Sequence, residues 1–102
     1  MKLNALDKKD ITDELTACFS GQHEVRKVVI FGSFLNSDEP GDVDVAVLQD
    51  SDEGYLSLAM RYRRLTRPIA KRLPVDIVPI RTSATTSAFL AELDDGRVIY
   101  ER

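Results

Sequence analysis

An α+β domain built on a three-stranded mixed sheet packed with helices follows from three observations. Three short runs, Val25–Phe31, Asp42–Leu48 and Val75–Ile80, have the length and β-branched character of strands. Between and around them, apolar residues step by three or four, as on a helix face. The links differ in kind. A short, turn-rich segment joins the first two strands and predicts antiparallel pairing, whereas a helix-sized segment joins the second and third and predicts a parallel crossover. The expected order is helix, strand, strand, helix, strand, helix, with sheet order 1-2-3.

The first helix is expected over Lys8–Ser20. Leu6, Ile11, Leu15, Cys18 and Phe19 form its stripe, Asp10 or Thr12 caps its start, and Gly21 ends it. Strand one closes at Phe31, before Gly32. The alternation of strand two sends Asp42 and Asp44 to one face and Val43, Val45 and Val47 to the other. A long helix is expected from Asp52 to about Arg72, on the stripe Tyr55, Leu58, Tyr62, Leu65 and Ile69, with Pro68 kinking or splitting it. Arg61, Arg63, Arg64 and Arg67 largely avoid that stripe. Strand three carries one acid, Asp76. A last helix is expected over Ser83–Leu93, with Gly96 beyond its end and a short extended tail at Val98–Tyr100.

At 102 residues the chain is read as one domain, residues 1–102, with a modest core from 43% hydrophobic residues. Too short to carry a separate substrate domain, it predicts that a partner or a second copy completes any site. The single Cys18 excludes an internal disulfide and reads as an inert thiol among apolar residues. Neither a signal-peptide pattern nor an apolar run of membrane-spanning length is present, so the expectation is a cytoplasmic protein with no membrane partner. Charge is segregated. Val28 to Met60 holds seven acids and no Lys or Arg, whereas Arg61 to Arg81 holds seven basic residues and one acid, Asp76. This reads either as a solvated helix beside an acidic loop or as an acidic site flanked by a phosphate-attracting surface.

The chemistry lies in Phe31-Gly32-Ser33 and Asp42-Val43-Asp44, with Asp76 as third member. Two carboxylates side by side repel unless protons or cations intervene, and hard oxygen ligands suit Mg²⁺ or Mn²⁺. An ionised Asp inside an apolar strand is costly without a partner, so Asp76 is expected to join Asp42 and Asp44. The predicted topology brings all three to one edge of the sheet with Gly32-Ser33.

Gly-Ser, a short loop, Asp-x-Asp and a lone Asp on a later strand together resemble the DNA polymerase β nucleotidyltransferase superfamily. The chain's size resembles its minimal nucleotidyltransferases, often the antitoxin halves of bacterial toxin–antitoxin pairs. The likeness covers Val25 to about Tyr100, and the closing stretch Phe89–Tyr100 is similar to the end of those domains. The resemblance implies the nucleotidyltransferase fold and transfer of a nucleoside monophosphate, AMP for choice, from a triphosphate to a hydroxyl acceptor. It implies two Mg²⁺ or Mn²⁺ ions, with Asp42 and Asp44 on both and Asp76 on the catalytic one. Gly32 and Ser33 then bind the nucleotide phosphates. Relatives of this size often modify a helical HEPN-class toxin, which makes such a toxin the implied partner. Two departures stand out. Only eight residues separate Ser33 from Asp42, and Phe34, Leu35 and Asn36 stand where many relatives place a phosphate-gripping Arg.

Two other functions compete. A catalytically inactive module keeping the fold for binding or regulation fits the missing Arg, but gives no reason to hold three like charges together. A nucleic-acid binder using the basic segment is disfavoured by net charge −3 and by the lack of interleaved stacking aromatics. His23 reads as a surface histidine, Tyr55 and Tyr62 as core, and Asp94 and Asp95 as a solvated helix end.

Overall fold

The structure, a computed structural model, describes residues 2–84 and 95–102. Helix α1 spans Ala5–Ser20 and starts three residues before the expected Lys8. Its cap is Asn4, not Asp10 or Thr12. The Asn4 side chain accepts from the Asp7 amide at 2.8 Å, and the Asp7 carboxylate accepts from the Asn4 amide at 3.1 Å. This reciprocal box satisfies two otherwise orphaned donors. Thr12 instead bonds back to the Lys8 carbonyl. The buried stripe is Ile11, Leu15 and Phe19, with Leu3 buried just before the helix, while Leu6 faces out. Half-buried Cys18 donates to the Leu65 carbonyl, and burial pushes its thiol above the ordinary value, as an unreactive sulfur requires.

Strands β1 (Val25–Phe31), β2 (Val43–Gln49) and β3 (Val75–Arg81) fall where expected to within a residue. β1 and β2 pair antiparallel, and β2 and β3 pair parallel. The tail does more than extend. Residues Arg97–Glu101 form β4, antiparallel to β1, so the sheet has four strands in the order β3-β2-β1-β4 rather than three. The order 1-2-3 holds within it.

The long helix is two pieces, α2 (Tyr55–Leu65) and α3 (Arg67–Ala70). The break falls at Thr66, whose hydroxyl bonds to the Tyr62 and Arg63 carbonyls, so that Pro68 sits in the first turn of α3 where its missing N–H costs nothing. Leu58, Tyr62 and Ile69 are buried as the stripe requires, but Tyr55 is exposed. Of the expected last helix, residues 85–94 lie outside the described residues; Thr82–Ala84 form a 3₁₀ turn. Among the described residues no helix is long and apolar enough to cross a membrane.

Side chains of α1, α2 and α3 join Val28, Ile30, Val43, Val45, Val47 and Ile77 in the main core. The other sheet face carries Val29, Ala46 and Leu48, with Phe31 and Ile80 packed against them. At the far end of the core, Tyr62 meets Phe19 edge to face at 5.3 Å and donates to the buried Glu24 carboxylate at 2.8 Å. Arg61 bridges Glu24 and Glu53. Neither Glu24 nor its pairing was legible in the sequence.

Candidate active site

β2 organises the site. Its alternation that buries Val43, Val45 and Val47 among the helices sends Asp44 to the opposite face, with Asp42 two residues earlier on the same side. In the parallel ladder Asp44 is in register with Asp76; in the antiparallel ladder it faces Phe31, the last residue of β1. The end of β1 and the starts of β2 and β3 thus lie at one edge of the sheet. There, one carboxylate oxygen from each of Asp42, Asp44 and Asp76 lies within 4.8 Å of the other two. Asp42 and Asp44 are half-buried and Asp76 is exposed.

Three like charges this close raise one another's energy. Burial first, then the Asp42 and Asp76 charges, push the Asp44 carboxyl above its ordinary value. Two oxygens on one Mg²⁺, each at about 2.1 Å, stand up to about 4.2 Å apart. The cluster therefore needs only small side-chain adjustment to share a hard cation, and its charge and all-oxygen donor set fit Mg²⁺ or Mn²⁺.

The Gly32–Leu35 segment is a 3₁₀ turn directly after β1. Gly32 has φ 81°, a left-handed value that L side chains rarely adopt. Its reason is steric as well: a Cβ there would stand inside van der Waals contact of the Asp44 Oδ2. Ser33 is exposed, and its carbonyl accepts the Asn36 and Ser37 amides at 3.1 and 2.8 Å, which folds the turn back on itself. Phe31, Gly32, Ser33, Leu35, Asn36, Asp44 and Asp95 line one cleft of about 340 Å³. Asp95, read from the sequence as a solvated helix end, is exposed but borders this cleft.

The arginines of the basic segment divide. Arg61 is held by Glu53 and Glu24, and Arg72 pairs with Glu14. Arg81 ends β3, roughly 17 Å along the strand from Asp76. It lines a separate cleft with Gln49, Glu53 and Tyr55. Arg63, Arg64 and Arg67 are exposed on the helices. A cation does touch the turn, from a residue not singled out in the sequence. Lys8 Nζ donates to the Ser37 carbonyl at 2.7 Å and stands 5.5 Å from the Phe34 ring centroid. With the Leu3 amide on the Asp38 carbonyl at 2.7 Å, Lys8 fastens the β1–β2 loop to the start of α1. No local pattern signals this, because the contact spans 29 residues.

Gly32→Ala is expected to strain the turn by about 1–2 kcal/mol and to displace Asp44. The variant should stay folded by circular dichroism and unfold at a lower temperature. In calorimetry it should bind Mg²⁺–nucleotide at least about tenfold more weakly. Wild-type affinity in a folded Gly32→Ala would separate the turn from the carboxylates.

The family model for the polymerase β nucleotidyltransferase domain matches residues 13–102. No curated protein sequence matches the chain. Among solved structures, the fold is similar to a chain of the MntA–HepT toxin–antitoxin, with 12% identity and TM-score 0.60 over 92% of this chain and 73% of that one. It is similar to a chain in the complex of tri-AMPylated Shewanella oneidensis HEPN toxin with MNT antitoxin, at 15% identity and TM-score 0.62 over 93% and 73%. A toxin–antitoxin structure with AMP-PNP gives 14% identity and TM-score 0.62 over 89% and 73%. Sheet order, the Gly-Ser turn, the three aspartates and a family match over most of its length agree: this chain belongs to the polymerase β nucleotidyltransferase family.

Proposed function

We propose that residues 1–102 act as one minimal metal-dependent nucleotidyltransferase domain that moves AMP from ATP to a hydroxyl of a partner protein of the HEPN toxin class. One observation carries the reading: Asp42, Asp44 and Asp76 converge within 4.8 Å, and Asp44 shares a cleft with Gly32 and Ser33. The acceptor and nucleotide follow the solved relatives, one of which is an AMPylated HEPN toxin with its MNT antitoxin, another a complex with AMP-PNP.

In this reading the acceptor oxygen bonds to the α-phosphorus, the bond from that phosphorus to the oxygen bridging the α- and β-phosphates breaks, and pyrophosphate leaves. Asp42, Asp44 and Asp76 would hold Mg²⁺ or Mn²⁺, which would supply charge stabilisation to the attacking and leaving oxygens. Gly32 lets backbone approach the phosphates without a side chain in the way. Ser33, exposed at the turn, offers its hydroxyl to them. Asp76 is the most exposed of the three aspartates, which suits it to orient an acceptor arriving from solution and to take up the hydroxyl proton.

The test combines binding and transfer. Labelled ATP, CTP, GTP and UTP are incubated with Mg²⁺ and a candidate partner protein of the HEPN class. Label from ATP should pass to that protein. Asp76→Asn should keep nucleotide binding by calorimetry while transfer falls by at least about 100-fold. A second reading, an inactive binding module, draws on Phe34, Leu35 and Asn36 standing where many relatives have Arg. Nucleotide binding without transfer, identical in wild type and Asp76→Asn, would favour it.

A further inference from the structure

The ends of β2 and β3 farthest from the aspartates border a second cleft, of about 190 Å³, lined by Gln49, Glu53, Tyr55, Leu58, Pro79 and Arg81. Alternation sends Gln49 to the helix-covered face of the sheet with Val43, Val45 and Val47. The parallel ladder sets Arg81 beside it, about 4.8 Å away across the strands and on the same face. Gln49 is only 2% exposed. The Ser51 amide, at 2.6 Å, and the Ser51 hydroxyl both donate to one atom of its side chain, and an N–H donor fixes that atom as the oxygen, Oε1. The nitrogen, Nε2, therefore turns the other way, and it makes no hydrogen bond among the described residues. A buried donor without an acceptor is rare in a folded chain. Two further observations point to the same charge. Arg81 is exposed and makes no ion pair among the described residues. Helix α2 begins at Tyr55, on the cleft, and no side chain caps its first amides. Glu53, the one acid on the cleft, is held through both its oxygens by Arg61, at 2.6 and 2.8 Å.

We propose that this cleft binds a small monoanion with a flat apolar body, an aromatic carboxylate, at a site separate from the nucleotide's. The carboxylate accepts from the Arg81 guanidinium and from Gln49 Nε2, two donors that neighbouring strands hold side by side. The flat body rests against Tyr55, Leu58 and Pro79. Occupation gives the buried Gln49 amide the acceptor it lacks, which makes binding favourable beyond the area covered. One free cation answers one negative charge. A phosphate monoester would bring nearly two charges to that single cation, with Glu53 beside it. The volume falls below the roughly 300 Å³ at which ordinary ligand pockets begin, so the ligand is limited to about a single ring and its carboxylate. Gln49 and Arg81 stand roughly 17 Å along their strands from Asp44 and Asp76, so the proposal does not rest on the nucleotidyl-transfer reading.

Titration with benzoate, followed by amide-resolved NMR, tests it. Benzoate should shift the Gln49, Tyr55 and Arg81 amides saturably, with dissociation in about the millimolar range for so small a ligand. Benzamide, the neutral isostere, should bind at least about tenfold more weakly, and inorganic phosphate should not saturate these shifts. Arg81→Gln and Gln49→Met should each weaken benzoate by at least about fivefold, the spectrum itself reporting that the fold is kept. Gln49→Met also releases Ser51. If that variant unfolds, Arg81→Gln and Tyr55→Ala, both at exposed positions, carry the test. Calorimetry should give the same Mg²⁺–nucleotide affinity for wild type and Arg81→Gln. Absence of a saturable benzoate shift up to about 50 mM overturns the proposal. So does benzamide or phosphate binding as tightly as benzoate, or Arg81→Gln binding benzoate as wild type does. Loss of Mg²⁺–nucleotide binding in Arg81→Gln would make the cleft part of the nucleotide site and overturn it as well.

Discussion

Asp44→Asn is expected to abolish the rise in melting temperature produced by Mg²⁺ and nucleotide and to lower transfer by at least about 100-fold, the loss of a group that would sit directly on the cation. Its effect without metal runs the other way. Burial and the charges of Asp42 and Asp76 raise the Asp44 carboxyl above its ordinary value, so the folded chain holds that proton more tightly than the unfolded chain. Stability from this group is therefore complete below the unfolded value of about 3.9 and is lost as pH rises through the higher folded value. At neutral pH the metal-free wild type carries three unrelieved charges. The Asp44→Asn variant lacks the central one and should melt higher than wild type in EDTA. The difference between the two should grow from acid toward neutral pH and reverse when Mg²⁺ is added, because a cation favours the ionised form. Thermal unfolding of both proteins over a pH series, with EDTA or Mg²⁺, reads all of this. Equal Mg²⁺ shifts in both proteins would exclude Asp44 from the cation site.

The largest effect on stability is expected at Tyr62. Its ring is fully buried against Phe19, and its hydroxyl is held by Glu24, whose side chain is only 8% exposed. Burial, then the Glu24 bond and charge, push the hydroxyl's ionisation well above its ordinary value, so Tyr62 stays a donor. Tyr62→Ala should cost about 3–5 kcal/mol for lost burial and the cavity left behind. That is much of the roughly 5–15 kcal/mol that holds a domain of this size. Tyr62→Phe keeps the ring and removes the donor. It leaves the buried carboxylate to Arg61 alone, at a cost of about 1–3 kcal/mol. Urea unfolding separates the two contributions. A Tyr62→Phe variant as stable as wild type would show that Arg61 suffices for Glu24.

What the sequence revealed and what it hid divide along physical lines. Strand two was legible because alternation is local: once Val43, Val45 and Val47 are buried, Asp42 and Asp44 must point the other way. The parallel crossover to Asp76 was legible from the length of the intervening segment. The Asn4–Asp7 box lies within view at its spacing of three, but the apolar stripe draws the helix start too late. The break at Thr66 hides behind Pro68, the louder signal, although proline is comfortable in a first helical turn. Non-local contacts leave no trace. Lys8 on the Ser37 carbonyl, Glu24 under Tyr62 and β4 beside β1 each join segments far apart in the chain. The basic segment looks uniform as sequence, yet its arginines divide into inward ion pairs and an outward face according to which helix direction each takes.

The register of β2 has a consequence for variation among relatives. Asp44 is placed by ladders to Phe31 and Asp76, not by the segment between Ser33 and Asp42. That segment can lengthen or shorten without moving Asp44 or Asp76, as a bridge deck is replaced while its piers stand. Its shortness here thus leaves Asp44 and Asp76 in place and alters only what reaches over the cleft. A loop of another length could then be carried on the same strands, and Lys8, held on the Ser37 carbonyl, ties the loop that is present to α1.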